Sequence, residues 1–141
     1  MSKREDITKY IIAKIDEVRY VKSITRQPKT LDEVARSDFP HVLVETANET
    51  RENSSFGGTI RQHSRLDILI NIVCHGNDLD QQRNLVVEAI EQKLHEDATL
   101  NGLAFDSYVS EVSVSNTQDT HPYGSMLMVY TVEYYYDRKT P

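Results

Sequence analysis

Five histidines (His41, His63, His75, His95 and His121) and one cysteine, Cys74, are the residues whose types could carry metal or nucleophilic chemistry in this chain. A zinc site needs converging ligands, commonly two histidines four residues apart on one helix face. No pair of these histidines has that spacing, and His95-Glu96-Asp97 would point in different directions around a helix. Gly57-Gly58 is too short a signal for a phosphate cradle, and no Gly-x-Ser-x-Gly, nucleotide-binding loop or dinucleotide fingerprint occurs. Carboxylates are plentiful, but none sits among apolar neighbours with a second at fixed spacing, the arrangement that paired acid–base work requires. Asp67 beside Arg65 reads as a strand-end ion pair. Cys74 falls on an apolar strand face, which makes it a small core residue rather than a reactive thiol. The expectation is a protein that is not an enzyme, with no catalytic residue, no metal ligand set and no cofactor.

The elements that would position these side chains centre on one unit. Leu66, Ile68, Ile70, Ile72 and Cys74 alternate with Asp67, Leu69, Asn71, Val73 and His75, the period of a strand with one strongly apolar face. His75-Gly76-Asn77-Asp78 stops the strand and offers Asn77 or Asp78 as a helix N-cap. From Leu79 the period becomes helical, with Val86, Ile90 and Leu94 on one stripe, and the helix is expected to reach about Asp97. Acids at that end oppose the helix dipole and predict fraying.

Before this unit, Ile7, Ile11, Ile15 and Val18 mark a helix over residues 4–19, followed by a short strand over 20–26. Thr30 and Glu33 have capping-box spacing, which predicts one or two helical turns, and 41–46 reads as a strand. Residues 47–64 are polar and glycine-bearing and read as a long hairpin arm or loop. After the unit come a turn at Asn101-Gly102, a strand over 105–115, a polar loop and a last strand over 126–136. The predicted fold is α+β: a mainly antiparallel, four- to five-stranded sheet with two helices packed on one face, plus the arm.

Length and charge bound the function. A chain of 141 residues, 16.2 kDa and 38% hydrophobic content suits one domain over 1–141 with one core. A net charge of -6 and a pI near 5.3 exclude gripping nucleic acid by bulk charge. The lone cysteine excludes an intrachain disulfide. No apolar stretch follows the basic residues near Met1, and no apolar run approaches ~20 residues, so neither a signal peptide nor a membrane span is expected. The sequons at Asn48 and Asn53 then read as chance matches in a protein of the cytoplasm.

What the pattern offers is surface for assembly. Tyr123, Tyr130, Tyr134, Tyr135 and Tyr136 crowd the end of the chain, and tyrosine buries area while keeping a hydrogen bond. The last strand is apolar on both faces for much of its length. Residues 130–136 are therefore candidates for a subunit interface, with Tyr130, Tyr134 and Tyr136 foremost. Arg51, Phe56 and Arg61 on the arm are candidates for contact with a neighbour. The alternatives are that the tyrosines cover the solvent face of the sheet and that Phe56 folds back on its own domain.

Three stretches carry a resemblance. They are the N-terminal amphipathic helix leading to a strand, the strand–turn–helix from Arg65 to Asp97-Ala98-Thr99-Leu100-Asn101-Gly102-Leu103, and the closing strand from Met126 to Tyr134. Together they resemble the tail terminator (tail completion, minor tail protein U-like) family of long-tailed bacteriophages. The resemblance implies a structural virion protein at the head-proximal end of the tail. Such a subunit, monomeric or not before assembly, forms a hexameric ring on the tail tube protein, ends its polymerisation and offers a docking face to the head connector. DNA would only pass through the lumen, and no membrane is involved. Another head–tail joining or neck protein would share the ring and differ in partner. A small dimeric ligand-binding or enzymatic domain would instead line a pocket with His75, Asp67 and Asn71.

Overall fold

Ser2 starts the first helix by accepting the backbone N–H of Glu5 at 3.3 Å, a side-chain N-cap, and Glu5 and Asp6 occupy the first turn where the dipole favours acids. In the computed structural model, which describes residues 2–27, 38–53, 61–76, 78–116 and 123–139, this helix α1 spans Lys3–Asp16. It buries Ile7, Ile11 and Ile15 completely, the stripe read from the sequence. The following turn leads to β1 (Ser23–Thr25), a shorter strand than the sequence suggests. The expected turns at 30–35 lie outside the described residues.

Strands β2 (His41–Asn53) and β3 (Arg61–His75) form an antiparallel hairpin; β4 (Asp106–Asn116) and β5 (Tyr123–Asp137) form a second. The sheet order is β1-β2-β3-β5-β4, so β5 lies between β3 and β4 and pairs with β3 from Arg61↔Asp137 to His75↔Tyr123. Three of the four neighbouring strand pairs are antiparallel, as the sequence predicts; the fourth departs from that pattern, with β1 running parallel to β2.

Helix α2 (Leu79–Leu94) returns over the sheet and buries Val86, Ile90 and Leu94. Asp78 is its N-cap, but its carboxylate accepts from Gln82 Nε2 at 2.5 Å instead of capping a backbone N–H. Both helices cover the same sheet face. One cluster joins Ile7, Ile11 and Ile15 to Val42 and Val44 of β2, Ile68 and Ile70 of β3, Val86 and Ile90 of α2, and Met128 and Tyr130 of β5. Fully burying such side chains contributes about 1.5–3 kcal/mol each before conformational entropy is subtracted.

The polar stretch after Thr46 is mostly strand, not a free arm. Residues 47–53 belong to β2, 61–64 belong to β3, and β5 pairs along this part of β3. Ser64 is fully buried, and the Glu49 side chain is 5% exposed. Polarity misled here because the buried carboxylate is surrounded by Arg4, Arg51 and Tyr134. Only 54–60, with Phe56, lie outside the described residues.

Candidate interaction surface

Glu49 points to the helix side because a bulge between Thr46 and Glu49 shifts the register of β2. There Tyr134 donates its O–H to Glu49 Oε1 at 2.9 Å, Arg4 of α1 stands 3.4 Å from the same oxygen, and Arg51 bonds the other oxygen. The Arg51 guanidinium also lies 4.4 Å from the centre of the Tyr136 ring. Burial of a carboxylate is tolerated when charge and hydrogen bonds surround it, and that is the arrangement here. Arg51, expected to reach a neighbour, thus helps tie the hairpin to α1 inside its own subunit.

The tyrosines divide by face. Tyr130 is fully buried, and Tyr134 and Tyr136 are 1% and 6% exposed, all under the helices. The Ser107 hydroxyl donates to Ala98 O at 2.7 Å, which leaves its oxygen to accept from Tyr130 O–H at 2.7 Å. Burial pushes the Tyr130 and Tyr134 hydroxyls above the usual tyrosine range. In the single subunit these three rings are core, so they have no surface to present to a partner.

Tyr135 faces the other way. At the hairpin end its ring stacks on Phe105, 4.8 Å between centres, and Arg61 covers it at 3.9 Å. His63 lies 5.3 Å from Phe105 and 5.6 Å from Tyr135. Lys3 donates to Tyr135 O at 2.6 Å. Phe105 remains 45% exposed. Among the described residues, Arg61 is therefore the one predicted contact residue that the structure places, exposed, on this Phe105–Tyr135 patch. Phe105 escaped the sequence reading, and Tyr135 was included only as part of the interface stretch 130–136 without being put foremost, because nothing in the alternation shows which side the helices cover.

The same outward face continues along the sheet. Leu43, Leu69, Val73, Leu127 and Val129 are half-buried there, with Leu43, Asn71 and Leu127 in one register row and Leu69 and Val129 in the next. No described helix covers them. Asp67 accepts from Thr131 Oγ1 at 3.0 Å, and Arg65 pairs with Glu133 at 3.2 Å, so the expected Arg65–Asp67 pair is not formed. Arg65 and Asp67 share a face two residues apart, but Glu133 stands directly across from Arg65 in the register, and Asp67 is taken up by Thr131.

Asp67, Asn71 and His75 share this face but sit four residues apart, roughly 13 Å between successive positions, and none of them lines a described pocket. The His75 ring packs with Tyr123 at 4.8 Å and Phe39 at 5.9 Å. Among the described residues no group of three or more His, Cys, Asp or Glu is placed to hold a metal ion. No described helix is long and apolar enough to cross a membrane. Cys74 is fully buried and its thiol is pushed up to about 11 by burial.

Beyond α2, Asp97 does not weaken the helix end but orders the turn after it. Its carboxylate accepts from the Thr99 hydroxyl at 2.5 Å, from Thr99 N at 3.0 Å and from Asn101 N at 2.9 Å, and these bonds hold it below the usual aspartate range. Leu100, Asn101 and Gly102 all take positive φ, and Leu100 is driven fully into the core. The Asp-x-Thr spacing is the signal that could have announced this turn.

Neither a scan of protein-family models nor a search of the curated proteins finds a match to this chain.

Proposed function

We propose that this protein is a structural subunit that caps a phage tail tube as a ring, ending tube growth and presenting a docking face to the head connector. The observation that carries the reading is the sheet face that no described helix covers, where Leu43, Leu69, Val73, Leu127 and Val129 are half-buried, with Glu45 and Asn71 in the same register rows. An assembling subunit needs such a face, because a flat apolar surface gains free energy only when a partner covers it. An α+β subunit is what the resemblance read in the sequence implies, and the α+β order supports the reading to that extent. In this reading the sheet face meets the tail tube protein, and lateral surfaces close six copies into a ring so that no edge remains for another tube subunit.

Light scattering over a range of concentrations, then negative-stain imaging alone and with purified tail tubes, tests it. Hexameric rings, free or seated on tube ends, are the expected result. A tight dimer at every concentration that leaves tube ends bare overturns it. Rings that bind the head connector but ignore tubes would move the protein to the neck of the virion.

A further inference from the structure

On the helix side, α2 covers β3 and β5 but stops short of the edge strand β4. A groove of about 730 Å³ runs between them, floored by Val87, Val112 and Met126 and rimmed by Glu88, Glu91 and Glu96. Val112 is 43% exposed and Val114, farther along β4, 55%. A groove with an apolar floor and an acidic rim accepts an apolar or aromatic group flanked by cations. The chain itself carries that counterpart: Phe105 and Tyr135 stacked at the hairpin end beside Lys3 and Arg61, with Arg138 and Lys139 following; the nearby acids are Asp106, Asp137 and Glu133, the last paired with His63 and Arg65. The two surfaces lie on opposite faces of the sheet. The groove centres near Met126 and the patch near Tyr135, about nine strand residues apart, or roughly 30 Å. One copy cannot bring them together within itself.

We infer that the groove between α2 and β4 of one copy receives the Arg61–Tyr135–Phe105 patch of a second copy. Because the two surfaces differ, the contact is head-to-tail and repeats from copy to copy, closing into a ring or extending as an open chain. The inference deepens the ring reading and rests on it only for closure.

Sedimentation velocity on the full chain, from micromolar into the millimolar range at low salt, tests the contact. Two variants alter exposed positions: Glu88→Arg with Glu96→Arg in the groove, and Arg61→Ser with Phe105→Ser in the patch. Circular dichroism first establishes that both fold. The expected result is concentration-dependent association of the wild type, weakened at least about tenfold in each variant. An equimolar mixture of the two variants then forms a one-to-one pair that grows no further, since only one intact groove and one intact patch remain. A wild type that stays monomeric throughout, a variant that associates like the wild type, or a mixture that fails to pair overturns the contact. Rings that persist in both variants overturn it while sparing the ring reading. Open chains of wild type without rings do the reverse.

Discussion

Both faces of β5 carry large apolar and aromatic residues, and those residues do different work on each. Met126, Met128, Tyr130, Val132, Tyr134 and Tyr136 are buried beneath the helices, while Leu127, Val129 and Tyr135 stand half-exposed on the other side. The open side also carries Ser125, Thr131 and Glu133, but by residue type alone Leu127, Val129 and Tyr135 could equally be core. What separates them is the pair of helices, which α1 and α2 lay over one side only. An apolar side chain is core when its own chain covers it and interface when another must.

The sharpest way to break this comparison is to truncate neighbours on β3. Ile68→Ala, under the helices and fully buried, is expected to cost about 3 kcal/mol of stability in urea unfolding. Leu69→Ala, one residue on and half-buried on the open face, is expected to cost less than about 1 kcal/mol and to weaken assembly instead. Equal losses would mean that both faces are core. Thiol labelling separates the faces by rate. With its pKa near 11, Cys74 holds roughly 100-fold less thiolate than an ordinary cysteine at neutral pH, and burial slows it further. A cysteine placed by Val73→Cys in a Cys74→Ser background is expected to react at least about 100-fold faster with an aromatic disulfide reagent.

Smaller effects sharpen the contrast at the hairpin end. Glu49→Gln removes the charge that Arg4, Arg51 and Tyr134 surround, at a cost of about 1–2 kcal/mol in denaturant unfolding. Glu52→Gln, exposed on the other side of the same strand, is expected to change stability by under about 0.5 kcal/mol. The weakest effect belongs to the turn that neither face contains. Hydrogen bonds depress the Asp97 pKa in the folded state, so its contribution is present above the ordinary aspartate value and is lost as pH falls through the folded value. The stability gap between wild type and Asp97→Asn is therefore expected at neutral pH and should close on acidification. A gap that stays constant with pH would assign the turn to sterics alone.

Much of the fold is legible in the sequence because two periods announce it. The stripe of Ile7, Ile11 and Ile15 and the alternation of Ile68, Ile70 and Ile72 each allow only one way to bury. The failures sit where pairing overrides period. A bulge between Val109 and Glu111 puts Val109, Val112 and Val114 on the helix side together, although plain alternation separates the first from the other two. The bulge before Glu49 likewise turns a carboxylate inward within a stretch that reads as loop. The tyrosines were legible as a group but not by side, since each face of β5 is apolar enough to be the core. Arg61 was legible as a surface residue; its aromatic partners Phe105 and Tyr135 come from distant strands and needed the register to meet.

The position of β5 has a consequence for synthesis. This strand joins β3 to β4, yet residues 123–137 follow both of the strands they hold together. A ribosome that has made everything through β4 carries a nascent chain whose β3 shows a free edge of fifteen residues and whose β4 has no partner. Until Tyr123 and its successors emerge, the chain is open to pairing with a neighbour's strand, and crowded polysomes would favour that error. The last strand of the sheet to be translated is thus what turns two sticky halves into one sheet.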